Sequence, residues 1–266
     1  MPLADPATLR WRGVGNAAAS LVYAFLIAPS LIVIPLSFGT GRELVFPPRG
    51  FSLAFYAEYF HTSTWMMTTA QSLLVASCST ALACCLGFAA AYALIRCSFP
   101  GKRWVNVVLL SPVMVPAITV ALGSYLYFST IHLAPTPGLI LAHAVHTTPF
   151  IMVTVMAGLR AVDSRLETAA IIMGAGWLTV LRRVILPLVR PALLAGAMFA
   201  FLISFDEVVI AYFVTDSATQ TLPVKMYSSI QWEVSPVIAA ISTLLTVLSL
   251  VVCVAGAGFA KPAAAG

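Results

Sequence analysis

Six apolar stretches, each near the roughly twenty residues a helix needs to cross a bilayer, recur along this chain at 17–38, 69–95, 104–128, 138–158, 192–214 and 236–259. Backbone groups in lipid must find partners within their own segment, so the pattern predicts spanning helices. Two of the polar connections are short, and three are longer. Residues 39–67 carry Phe46-Pro47-Pro48 and then the aromatics Phe51, Phe55, Tyr56, Tyr59 and Phe60, which predict a short helix at the membrane interface. Residues 215–235 include Leu222-Pro-Val-Lys-Met-Tyr227, which predicts another short helix.

The most distinctive connection is the polar island 160–191. Ser164 followed by Glu167 has the spacing of a capping box and predicts a helix start. Leu166, Ala169, Ala170, Met173, Gly174 and Trp177 then share one helical face, whose small residues let another backbone come close. Gly174 and Gly176 predict a break, a second short run begins near Trp177, and Pro187 is expected to end it. The result is a small-residue hairpin with the character of a docking element.

Composition agrees with a lipid solvent. The 266 residues are 61% hydrophobic and only 9% charged, with a mean hydropathy of +0.99; a soluble domain carries about a quarter charged residues. With a cytoplasmic amino terminus, the 14 Lys and Arg divide as eleven inside (10, 12, 96, 102, 103, 160, 165, 182, 183, 190, 261) and three outside (Arg42, Arg49, Lys225). Both termini and the island then lie in the cytoplasm. The basic balance records topology, and no nucleic-acid partner is expected. The first span is long and lacks a clear cleavage site before Pro47, so it is expected to remain as a helix. The five cysteines have no metal spacing and suit small apolar fillers. One membrane domain, 1–266, is expected, with an amino-terminal tail at 1–16 and the cytoplasmic loop at 159–190.

Nothing in the chain has the pattern of an enzyme. No phosphate-cradling glycine loop precedes a lysine, so ATP is not bound by that route. His143 and His146 are three apart and share a helix face; they suit hydrogen bonds inside the bundle better than a metal pair, since no carboxylate is near them in sequence. Asp206-Glu207 lies well inside the fifth span, where a carboxylate costs on the order of 2–3 kcal/mol or more and must face water, a partner charge or a cationic solute. Either a pathway carboxylate or a structural ion pair would satisfy that need, and successive residues point about 100° apart. Ser111-Pro112 and Pro116 open the third span and predict a kink or hinge, or ordinary irregular packing. With Tyr125 and His143, these residues complete the candidate pathway set: Asp206, Glu207, Ser111, Pro112, Tyr125, His143.

The island resembles the cytoplasmic loop of the membrane subunits of binding-protein-dependent ABC importers, which runs Glu-Ala-Ala, three residues, Gly, nine residues, Ile, one residue, Leu-Pro. Counted from Gly174, Ala169, Ala170, Leu186 and Pro187 match, Val184 replaces the Ile, and Thr168 occupies the acidic position while Glu167 stands one residue early. Ser204-Phe-Asp-Glu207, Leu222-Pro-Val-Lys-Met-Tyr-Ser228, Val234-Ser-Pro236 and the stretch from His143 to Phe150 are similar to permeases of the spermidine/putrescine type. Those permeases often carry Asp where this chain has Val113.

The resemblance implies an all-α, six-helix permease of the type I ABC importer fold in the bacterial inner membrane, moving a small amine-type solute by alternating access. A polyamine such as spermidine or putrescine is favoured, with an opine, an amino-acid-derived amine or an aminophosphonate as the alternative. It implies a second, different permease subunit, two copies of an ABC ATPase that hold the ATP and Mg, and an extracytoplasmic binding protein; this chain binds no cofactor or metal. Coupling to the ATPase would fall to Glu167, Thr168, Ala169, Ala170, Gly174, Ala175, Leu186 and Pro187. A secondary transporter, driven by a gradient, is the competing class.

Overall fold

A computed structural model describes residues 6–41, 44–232 and 235–259, and the side chains of 15–16, 18–41, 44–232 and 235–251. The side chains of Arg10, Arg12 and Cys253, the residues Arg42, Val234 and Lys261, and the start of the tail, 1–5, fall outside that description, with the expectations attached to them. Twelve helices are described, with no strand among the described residues: α1 (Pro6–Leu36), α2 (Ala54–His61), α3 (Ser63–Arg96), α4 (Lys102–Met114), α5 (Ala117–Thr130), α6 (Pro135–Ala161), α7 (Arg165–Ile172), α8 (Trp177–Val180), α9 (Leu186–Asp206), α10 (Val209–Val214), α11 (Leu222–Trp232) and α12 (Val237–Phe259). Four runs are long and apolar enough to cross a membrane: Ala18–Leu36, Ser63–Arg96, Pro135–Ala161 and Trp177–Asp206. A fifth is counted if the bent pair α4–α5 is one span.

The chain forms two compact units. One comprises 1–66 and 229–266. Here α1 and α2 pack on α12. The aromatic run does form the short helix α2, which buries Phe55 and Tyr59. Ser37 Oγ lies 2.7 Å from Tyr56 Oη, and the Phe38 and Tyr56 rings sit 5.4 Å apart.

The other unit, 67–228, is built around α6 and α9. Glycine makes their approach possible: a Cβ on Gly196 of α9 would fall 3.1 Å from Ile151 Cα and closer still to the Thr154 hydroxyl, and one on Gly158 would fall 2.7 Å from Ala192 Cβ. Small residues at such a seam let van der Waals contact replace the hydrophobic drive that lipid does not supply. Gly87 of α3 meets Ile151 and the Thr148 carbonyl in the same manner, so α3 closes on α6. One apolar cluster gathers Ala91, Leu94, Ile151, Val155, Leu159, Val180, Ile185 and Val189. A second gathers Val75, Ala121, Leu139, Ile210, Val214 and Val224.

Two of the predicted spans are broken. The third bends by 102° between α4 and α5. The cause is Pro116, which forces Val115 into an extended conformation (φ −83°, ψ 130°). Pro112, by contrast, lies inside α4. Its missing N–H leaves the Val108 carbonyl free, and the Ser111 hydroxyl donates to that carbonyl at 2.8 Å. The fifth span breaks after Asp206, and the chain resumes as α10 at Val209.

Pro187 does not end the helix that begins near Trp177. The run continues unbroken to Asp206 through a wide turn at Leu181–Ile185, where Leu186 N–H donates to Leu181 O, five residues back. That extra residue in the turn makes room for the proline ring, which an ordinary α-turn would press against the carbonyl four residues before it.

Candidate functional site

The island folds as a hairpin, α7 and α8, between α6 and α9. The capping box expected from Ser164 and Glu167 does not form: the Ser164 side chain makes no cap bond. Asp163 takes that role, its Oδ1 accepting from Arg165 N–H at 2.9 Å. At the far end Ala175 N–H donates to Ala170 O and Gly174 N–H to Ile171 O, the paired bonds of a Schellman cap. Gly174 sits at φ +87°, and a Cβ there would meet nothing within 4 Å. Glycine is needed at this position for its backbone conformation, not for close approach.

Of the predicted small-residue face only Ala170 is buried; the rest is turned outward. Glu167 and Ala170 are buried, while Leu166, Thr168, Ala169, Gly174 and Trp177 are exposed and Ala175 is partly buried. The tip is apolar, with Ile172 and Met173 each 81% exposed. Arg160, Arg165, Arg182 and Arg183 flank it, also exposed. Leu186 and Pro187 lie exposed at the base of α9.

Glu167 is held by the carboxyl-terminal end of α3. Arg96 Nε donates to its Oε1 at 2.7 Å, and the Tyr92 hydroxyl donates to its Oε2 at 2.9 Å. Arg96 Nη2 also donates to Val162 O at 2.8 Å, and the Tyr92 ring meets Trp177 edge-on at 5.0 Å. Sequence reasoning singled out neither Tyr92 nor Arg96. They lie more than seventy residues before Glu167, and a basic residue at a span's end is explained by topology alone.

The candidate pathway residues separate into distinct surroundings. His143 is buried on α6; its Nδ1 lies 2.8 Å from Ser204 Oγ on α9. Ser204 Oγ in turn lies 2.9 Å from Ser79 Oγ on α3. The hydrogen bonding expected of this histidine thus joins three helices. The carboxylate not seen near it in sequence is near in space: Glu207 Oε2 lies 3.6 Å from His143 Nε2. Among the described residues no three His, Cys, Asp or Glu side chains gather in a metal-holding group.

Glu207 also explains the broken fifth span. Its carboxylate accepts from the N–H groups of Val209 (2.9 Å), Ile210 (2.8 Å) and Ala211 (3.1 Å), closing the amino end of α10. Free N–H groups and the positive end of a helix are what a carboxylate satisfies best away from water. Asp206 is exposed and finds no hydrogen-bond or ion-pair partner among the described residues.

Ser111 is exposed on α4 and engaged with its own helix, beside the half-buried Pro112. Tyr125 is half exposed and lines a crevice of about 560 Å³ with Phe128, Ser129, His132, Phe213 and Asp216. Val113 lies elsewhere, in an apolar groove with Met114, Phe150 and Phe199.

Residues 83–261 match the family model described as binding-protein-dependent transport system inner membrane component. The chain is 34% identical over 240 residues to the spermidine/putrescine transport system permease protein PotC of Haemophilus influenzae, covering 90% of this chain and 93% of that one. It is 33% identical over 233 residues to the putrescine transport system permease protein PotI of Escherichia coli K12, covering 85% of this chain and 83% of the relative. A chain of a solved bacterial ABC transporter that imports the acidic polysaccharide alginate shares the fold, with a TM-score of 0.81 at 15% identity over 98% of this chain and 100% of that one. The chain belongs to the binding-protein-dependent transport system inner membrane components, the multi-pass permease subunits of ABC importers.

Proposed function

We propose that this chain forms half of the pathway of an ATP-driven importer for a small amine-type solute, with a polyamine such as spermidine or putrescine favoured. The observation that carries the solute class is the likeness to PotC and PotI over most of the chain. Asp206 supports it: an exposed carboxylate within the fifth span needs water or a cation beside it. In this reading six spans place both termini in the cytoplasm. A second permease subunit, two ATPase subunits that hold the ATP and Mg, and an extracytoplasmic binding protein complete the transporter. The hairpin is the handle for the ATPase, offering Thr168, Ala169 and the tip around Gly174, with Ala175, Leu186 and Pro187 shaping its base. Asp206, with Ser111, Pro112, Tyr125 and His143 along or behind the wall, serves the pathway.

Val113 favours a second reading. Where polyamine permeases often carry Asp, this chain has an apolar residue in an apolar groove. One carboxylate fewer suits a singly charged amine, an opine or an aminophosphonate.

The deciding experiment is a binding screen on the transporter's own soluble receptor, comparing putrescine, spermidine, amino-acid-derived amines and aminophosphonates. Micromolar or tighter binding of a polyamine alone supports the first reading. Binding of an aminophosphonate or opine with no polyamine affinity overturns it.

A further inference from the structure

The hairpin is covalently continuous with α6 and α9, so any force on it reaches those two helices through the chain. The structure adds a third connection that the chain does not provide. Glu167 is buried, and both of its oxygens are occupied by α3: Oε1 by Arg96 and Oε2 by the Tyr92 hydroxyl. Arg96 spans the joint, since it also holds Val162 O at the base of the hairpin. Trp177, on the second limb, rests against the Tyr92 ring. Both limbs of the hairpin are therefore tied to the last two turns of α3.

What α3 reaches is the second half of the observation. It runs 34 residues without a proline. The other two long helices of this unit contain Pro149 and Pro191 within them. Prolines and glycines are where helices bend, and Gly87, the one glycine of α3, is packed against α6. Seventeen residues before Arg96, about 25 Å along the axis at 1.5 Å per residue, Ser79 hydrogen-bonds Ser204 in the cluster that contains His143 and Glu207. Farther along, the Ser72 hydroxyl accepts from Leu222 N–H at the start of α11 at 2.8 Å. The helix is a stiff member with the hairpin at one end and the buried polar cluster beyond its middle.

We infer that Tyr92 and Arg96 are positioning residues of the coupling step: through Glu167 they make the hairpin and the end of α3 move as one body, so that a push on the hairpin arrives at Ser79 and Ser204 along α3. The inference rests on the hairpin being the ATPase handle. It also assigns Glu167 a role inside the chain, leaving the exposed apolar tip, Ile172 and Met173, to meet the ATPase.

The test uses the whole transporter in lipid, in nanodiscs for distances and in proteoliposomes for uptake. Spin labels are placed on the native Cys97, exposed just beyond α3, and on Ser164→Cys at the start of α7, with the other four of the five cysteines replaced. The label separation is measured without nucleotide and after vanadate trapping with ATP. With the latch intact the two distributions coincide. In Arg96→Gln they part, and solute uptake per ATP hydrolysed falls roughly tenfold, in the range by which residues along a coupling network act, while the ATPase still copurifies. The reversed pair Arg96→Glu with Glu167→Arg regains uptake relative to either single change. Tyr92→Phe, which keeps the ring and removes one hydrogen bond, reports the same trend more weakly if Arg96→Gln does not assemble. Distributions that part in the unmodified protein overturn the latch. So does an assembled Arg96→Gln transporter with unchanged separations, or a reversed pair no better than its worse single change. If the unmodified chain never retains an ATPase, it is the handle itself that fails.

Discussion

Asp206 and Glu207 are consecutive, yet one is exposed without a partner among the described residues and the other turns inward to close the amino end of α10. The break between α9 and α10 separates their environments. It gives two adjacent carboxylates two different tasks.

Replacing Asp206 by Asn is expected to lower uptake of a cationic solute about tenfold, equivalent to roughly 1.4 kcal/mol of lost attraction, with no change in thermal stability. Glu207→Ala is expected to act the other way round, lowering stability by about 1–2 kcal/mol through loss of a helix cap. Uptake of labelled putrescine and thermal unfolding of the purified complex separate the two. Equal effects of both changes on stability would remove the distinction.

Gly174→Ala is expected to cost about 1–2 kcal/mol, the penalty for a side chain in the left-handed region, even though nothing crowds the position. Gly174→Asn, which tolerates that region, should cost less, and Gly174→Val most. Copurification of the ATPase should follow that order. If Ala and Val are equal to glycine, the Schellman turn is not what the hairpin requires.

Gly196→Ala is expected to destabilise the complex by about 1–3 kcal/mol, as overpacking of a close seam does, because its Cβ would press on Thr154 and Ile151. Gly123→Ala in α5 is the contrast: a Cβ there meets nothing within 4 Å. Alanine is the better helix former by about 1 kcal/mol, so that change should be neutral or mildly stabilising. Melting temperatures of the two variants should move in opposite directions.

The Asp216 turn between α10 and α11 should loosen only in strong acid. The Thr219 side chain and backbone, with Ala218 N–H, hold the Asp216 carboxyl below its usual range. A carboxyl depressed in the folded state stabilises above its ordinary pKa and loses that contribution as pH falls through the depressed value. Amide exchange at Ala218 and Thr219 should stay slow through mild acid and quicken only below the ordinary carboxylate range. Quickening near neutral pH would refute it.

The helical membrane architecture was legible because lipid imposes length and apolarity on each span, and both leave marks in sequence. The bend at Pro116 was legible for a similar reason: proline acts on its own neighbourhood. The break at Glu207 was not, since Phe201 to Phe213 is nearly all apolar and contains neither glycine nor proline. Only in space does the carboxylate find the N–H groups that make the break favourable. Local spacing misled at Ser164 and Glu167, whose capping-box pattern was outbid by Asp163 on one side and by Arg96 and Tyr92 on the other. A partner seventy-one residues away in the chain competes for a side chain as readily as a partner three residues away.

The wide turn at Leu181–Ile185 sets the phase of everything beyond it. One residue more or fewer in a helix rotates the remainder by about 100°. Without this turn, α9 would present a different flank to α6. Gly196 would no longer meet Ile151, Ser204 would leave His143, and Asp206 would point elsewhere. The stretch between the hairpin and α9 therefore tolerates substitutions far better than insertions or deletions, and its length is a property of the transporter in its own right.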